Sequence, residues 1–152
     1  MHGLFITCYV GFENLLKQEL NHLGLTFVKE AQGGVFIKEK DSHSIIKINL
    51  LSRLALRVLM PIGQFEIENE ADLYQKSLAL PWNKWFTTKK TIAVQSFVKS
   101  SVMTHSKYVA LKVKDAVCDF FRNDVGDRPN VDTESPQISI FVHLHKNQCT
   151  IY

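Results

Sequence analysis

Residues 4–10 are dense in β-branched and aromatic side chains and predict a strand. The period then lengthens: Phe12, Leu15, Leu16, Leu20 and Leu23 recur at the three- and four-residue steps of one helix face. Gly11 is placed to cap that helix at its start, and Gly24 stands where a left-handed residue closes it. Two short strand-like runs follow, 26–31 and 35–38, joined through Gln32-Gly33-Gly34, whose glycines suit the positive φ of a tight hairpin. Asp41 or Ser42 caps a second helix carrying Ile45, Ile46, Asn49 and Leu50, after which Leu56, Val58, Met60 and Ile62 alternate as a fourth strand. The resulting order, β-α-β-β-α-β, is a split βαβ unit.

A second block opens on the acidic run Glu66, Glu68, Glu70 and Asp72. A helix over 73–80 is stopped by Pro81, and Trp82, Trp85 and Phe86 form an aromatic cluster that reads as core before it reads as a stacking surface. Residues 91–98 alternate as a strand, and a Ser/Thr-rich connector leads into the strongest helix, 106–122, with Val109, Val113, Ala116, Val117 and Phe120 on one stripe. Residues 123–136, with Gly126, Pro129 and Pro136, form a loop. Ile138, Ile140, Val142 and Leu144 then alternate with Ser139, Phe141, His143 and His145, and Lys146-Asn147-Gln148 turns into a last strand. That strand reaches Tyr152 with no polar tail, which reads as a cut inside or just after a strand of a longer protein. The expected fold class is α+β: a ferredoxin-like domain over 1–67, then a mixed α/β domain over 68–152.

Composition adds little to this picture. With 152 residues, 45% hydrophobic and 22% charged, the chain is an ordinary globular protein. Cys8, Cys118 and Cys149 are too scattered for a disulfide framework or a zinc site, and read as free thiols in a reducing cytosol. The first residues lack a basic leader, and Glu13 interrupts their apolar character, so a cytoplasmic protein without membrane contact is expected.

Charge placement adds more. Between Asp72 and Asp115 stand Lys76, Lys84, Lys89, Lys90, Lys99, Lys107, Lys112 and Lys114 with no acid, 8 of the 18 basic residues and none of the 15 acidic ones. The rest of the chain carries 10 − 15 = −5. Ammonium groups beside Ser96, Ser100, Ser101, Thr104 and Ser106 and beside aromatic rings are the groups that meet phosphates and bases. On the long helix, Lys107, Lys114 and Cys118 lie on one side as an unpaired basic edge, while Lys112, Asp115 and Asp119 neutralise one another on the other flank. The helix N-terminus, preceded by Ser100, Ser101, Thr104 and His105, makes an anion site; alternatively Thr104 or Ser106 is only its N-cap. Arg53 and Arg57 close the second helix, where satisfying its last carbonyls is the simpler reading. His143 and His145 share a strand face but lack a third metal ligand. There is no glycine-rich fingerprint, P-loop or nucleophile beside a base, so no catalytic residue is expected.

Several segments, in order, carry a resemblance. They are Ile6-Thr7-Cys8, Gly11-Phe12-Glu13-Asn14-Leu15-Leu16 with Glu19-Leu20, Gly33-Gly34-Val35, and Ser52-Arg53-Leu54-Ala55 with Arg57. Asp72-Leu73-Tyr74, Pro81-Trp82, His105-Ser106-Lys107-Tyr108 with Lys112-Val113-Lys114-Asp115-Ala116, and Arg128-Pro129-Asn130-Val131-Asp132 continue them. Together they resemble the N-terminal half of the THUMP-containing 23S rRNA guanine-N2 methyltransferases. The resemblance implies a ferredoxin-like domain and a THUMP domain ahead of a methyltransferase domain that binds S-adenosylmethionine. The chain lacks that family's Asn-Pro-Pro-aromatic motif, so it is expected to bind RNA, the 23S ribosomal RNA of the resemblance, without methylating it and without a cofactor of its own. Its other expected partner is its own C-terminal methyltransferase domain. The expected RNA contacts are Lys99, Lys107, Lys112 and Lys114, with Arg53, Arg57 and Arg128, hydroxyl and backbone donors near Ser106, and Tyr108 and Asn130 from the matching motifs. The rival reading is a protein-interaction or small-anion regulatory domain, since ferredoxin-like folds host many such roles.

Overall fold

The computed structural model describes residues 3–99, 101 and 103–152. The chain divides into two compact units, Met1–Pro61 and Ile62–Tyr152.

The first unit contains β1 (Phe5–Thr7), α1 (Glu13–His22), β2 (Phe27–Ala31), β3 (Gly34–Ile37), α2 (Ser42–Leu51) and β4 (Arg57–Leu59). Its sheet has the order β2-β3-β1-β4, antiparallel throughout, which is the split arrangement expected from the sequence. Leu4, Ile6, Leu16, Leu20, Val35, Ile37 and Ile48 form its core. The apolar stripes are narrower than their periodicity suggests. Each ten-residue helix buries one row, Leu16 and Leu20 on α1, Ser44 and Ile48 on α2. Leu15, Ile46 and Leu50, one or two positions off that row, are exposed, as is Phe12, which precedes the first turn of α1.

Asp41 caps α2, its Oδ1 accepting from the Ser44 N–H at 2.9 Å. Gly11 does not cap α1, whose N-cap is Phe12. Instead the Gly11 and Gly33 N–H groups donate to the two carboxylate oxygens of Glu13 at 2.7 and 2.8 Å, so one side chain pins the helix entry to the β2–β3 turn. The Gly33 bond leads in holding that carboxyl below the ordinary range. In the turn, only Gly33 has a positive φ, +80°. Gly34 is needed for room, because a Cβ there would lie 2.3 Å from the Ile6 carbonyl oxygen.

The second unit contains β5 (Gly63–Glu66), α3 (Glu70–Leu78), a 3-10 turn (Trp82–Lys84), β6 (Ile92–Lys99), α4 (Ser106–Val125), β7 (Ile138–His145) and β8 (Gln148–Ile151). Its sheet has the order β5-β8-β7-β6. β6 and β7 are parallel, with Ile92 opposite Ile138 and Lys99 opposite His145, and the other pairings are antiparallel. The sequence expectation of a fourth strand running to Ile62 is therefore corrected. β4 stops at Leu59, Pro61 has no N–H to donate, and the Ile62 N–H already bonds to the Ile151 carbonyl at 2.8 Å. β5 then completes the second sheet against β8.

Asn69 caps α3, accepting the Asp72 N–H at 3.0 Å, while Asp72 Oδ2 accepts the Glu68 N–H just ahead of the cap at 3.0 Å. Glu70 and Asp72 of the acidic run thus stand in the first turn of a helix, where negative charge suits the dipole. Trp82 and Phe86 enter the core with Leu73, Val109, Val113, Val117, Phe121 and the inward residues of β6–β8, whereas Trp85 is exposed. The Trp82 indole N–H donates to the Ser77 carbonyl at 2.9 Å, so the buried ring keeps its polar atom satisfied. Phe121 takes the place in the stripe expected of Phe120, which is only partly buried. Gly126, at φ 75°, closes α4 in the left-handed conformation.

Candidate nucleic-acid interface

The parallel β6–α4–β7 crossover decides where the basic residues meet. Because both strands point the same way, the N-terminus of α4 stands at their carboxyl ends, where ligands of open α/β sheets bind. At this pole Lys99 ends β6, His145 lies opposite it, and the Lys146 N–H donates to the Lys99 carbonyl at 3.0 Å. Lys146 holds a left-handed φ of 54°, the only positive φ outside glycine among the described residues.

His105 is the N-cap of α4, and no side chain caps the helix. Neither Thr104 nor Ser106 takes that role; Ser106 is the first helical residue, and its carbonyl accepts a 2.5 Å bond from the Ser96 hydroxyl that fastens the first turn to β6. Ser106 and Lys107 are exposed, so the helix start presents N–H groups, a hydroxyl and an ammonium group to solvent. Ser100, counted among the sequence-derived donors, lies outside the described residues.

The other residues expected to contact RNA divide. Lys112 is not open to an anion: its Nζ pairs with Glu70 Oε1 of α3 at 2.5 Å and lies 5.5 Å from the centre of the Tyr108 ring. Tyr108 belongs to the same group. Its bond to Glu70 raises its hydroxyl pKa, and the bonds from Lys112 and then Tyr108 lower that of Glu70. Lys114 is paired as well, at 2.6 Å from Asp115, so the unpaired edge expected along Lys107, Lys114 and Cys118 shrinks to Lys107. Cys118 faces inward and is buried; burial raises its pKa against the opposing fields of Lys114, Arg128 and Arg122.

Arg128 and Asn130 belong to the other pole. The Asn130 carbonyl accepts the Ile92 N–H at 2.9 Å at the amino end of β6, seven residues and about 23 Å of strand from Lys99. Arg53 and Arg57, in the first unit, do not close α2, which ends at Leu51. The connector is held by Glu19, which accepts the Ser52 hydroxyl and, at 2.8 Å, the Arg53 N–H, while Arg57 sits in β4 opposite Thr7.

Sequence reasoning missed Lys146, whose register beside Lys99 exists only once β7 pairs with β6. It also left Phe97, His143 and His145 unassigned to the pole. Their rings stack on the open face of the sheet, 5.6 Å and 6.5 Å between successive centroids.

Residues 68–152 match the family model of the THUMP domain. The chain belongs to the THUMP family. Residues 3–59 match the RlmL ferredoxin-like domain. Over 147 residues the THUMP chain is 40% identical to the "Ribosomal RNA large subunit methyltransferase K/L" of Syntrophotalea carbinolica, covering 97% of this chain and 20% of that protein. The chain thus spans about a fifth of that relative's length. In fold it is similar to a possible methylase from Clostridium difficile 630, with a TM-score of 0.85 at 24% identity over 99% of this chain and 40% of that one. It is also similar to TrmN from Thermus thermophilus, with a TM-score of 0.73 at 21% identity over 97% of this chain and 43% of that one.

Proposed function

We propose that this THUMP-family chain is the RNA-recognition part of a cytoplasmic enzyme that methylates a guanine N2 of 23S ribosomal RNA, and that it positions the RNA for a methyltransferase domain. The match to the ribosomal RNA methyltransferase over almost the whole chain supports the substrate class. The observation that carries the site is the helix start of α4, uncapped by any side chain, between Lys107 and the Lys99–Lys146 end of the parallel strands. RNA phosphates dock there; Lys112 and Tyr108 act as structure.

Methyl transfer lies elsewhere in the enzyme. The strand-to-helix turns at 8–12, 38–41, 67–69 and 100–105 contain one glycine, Gly11, so none forms the glycine-rich cradle of a nucleotide-like cofactor. This chain's residues do not fit S-adenosylmethionine.

The test is RNA affinity against salt. Lys107→Ala should flatten the slope of log K against log salt by about 0.7 to 0.9, one phosphate contact, and Lys112→Ala should leave it nearly unchanged. The reverse order would move the site to the α3–α4 face, and saturation by free phosphate would favour a small-anion domain.

A further inference from the structure

We propose that the open face of the second sheet, at the carboxyl end of β6 and β7, is a stacking platform for unpaired RNA bases built by Phe97, His143 and His145. The proposal rests on the RNA-binding reading above and names what that RNA presents.

Strand alternation sends Val94, Ser96 and Val98 of β6 toward α4 and turns Gln95, Phe97 and Lys99 to the opposite face. On β7 it buries Ile140, Val142 and Leu144 and turns out His143 and His145. Phe97 and His143 are direct register partners. Phe97 is 60% exposed, so this ring serves no core. The Phe97 and His143 planes lie within 21° of each other across β6 and β7, and the His143 and His145 imidazoles within 10° along β7, so near-parallel rings lead across the two strands and then toward the pole.

Three features select bases as the occupant. Flat faces of Phe and His are sequence-tolerant partners for any base, and sheets that present such rings are a recurring way to hold single strands. The row ends at His145, opposite Lys99 and next to Lys146, so a strand with phosphates at the α4 start has cations where its backbone turns and rings where its bases fall. Glu66, which lies opposite Gln148 on the next strand, is engaged by the Gln148 amide at 2.6 Å. A metal pair is disfavoured by the same geometry, since stacked imidazoles aim their in-plane lone pairs alongside one another instead of at a common point.

The experiment measures binding of the full chain to a single-stranded RNA 12-mer, to the same strand with abasic sites, and to a duplex. Phe97→Ala should weaken binding to the base-bearing strand about five-fold or more and leave the salt slope unchanged, while Phe97→Tyr should stay within about two-fold of wild type. Wild type should lose affinity for the abasic strand, and Phe97→Ala should no longer distinguish the two. His143→Ala, with its denaturant midpoint recorded, repeats the test from the neighbouring strand. The platform is overturned if wild type binds RNA with Lys107-dependent salt sensitivity yet ignores base removal and both ring substitutions. Absence of RNA binding by folded wild type sinks the underlying reading instead.

Discussion

Ser106 shows how much one position means at a helix start. Its hydroxyl is not the cap of α4, so Ser106→Ala should change stability by no more than about 0.5 kcal/mol, less than the loss of a working N-cap. Ser106→Asp puts a negative charge in the first turn, which suits the helix dipole, so the denaturant midpoint should hold or rise. The same charge repels an incoming phosphate, and RNA affinity should fall, most at low salt. A variant as stable as wild type that binds RNA equally well would remove phosphate from this helix end. Glycine is read differently at the same scale: two adjacent glycines in one turn have different reasons, a left-handed φ at Gly33 and a close carbonyl at Gly34.

At the scale of elements, carboxylates act as ties. Glu19 of α1 holds the start of the α2–β4 connector. Burial opposes its charge, but the Ser52 hydroxyl, the Arg53 and Leu54 N–H groups and the Arg53 guanidinium outweigh burial and lower its pKa. A carboxyl with a lowered folded pKa contributes stability that is fully present above its unfolded pKa and is lost as pH falls through the folded one. Acid titration of stability should therefore show a carboxylate-range decline that flattens in Glu19→Gln; an unchanged profile would mean that Glu19 ties nothing. Glu70 ties α3 to α4 through Lys112 and Tyr108, beside the 2.8 Å bond from the Tyr74 hydroxyl to Asp119. Glu70→Gln should release the Lys112 charge and tighten RNA binding at low salt, measured as a steeper salt dependence than wild type. No gain would mean that Lys112 faces away from the bound RNA.

At the scale of the whole molecule, the division at Pro61 and Ile62 makes β5 part of the THUMP sheet. A chain of residues 62–152 keeps all four strands and should unfold cooperatively. One that starts at residue 68 leaves the β8 edge at 148–151 without its partner, exposes Cys149 and Ile151 of the core, and should show a lower midpoint or aggregate. Equal stability of the two would mean that β5 is dispensable.

Sequence alone determined the elements other than β5, because alternation, helical period and caps are local properties. The split order of the first unit, a cap at Asp41 or Ser42, and the burial of Val109, Val113 and Val117 were legible from neighbours a few residues apart, whereas α4 runs past the expected end at Arg122 to Val125. The family resemblance was legible too, since short motifs in order survive without a structure. The site was legible only in part. Lys107 and Lys112 were both expected to contact RNA, and what takes Lys112 away is Glu70, 42 positions before it and on another element. The β6–β7 register likewise sets Lys146 beside Lys99 and His143 beside Phe97, pairs 47 and 46 residues apart. A charge is available to a ligand only if no opposite charge folds onto it, and strand pairing and helix packing decide that at distances no local pattern records.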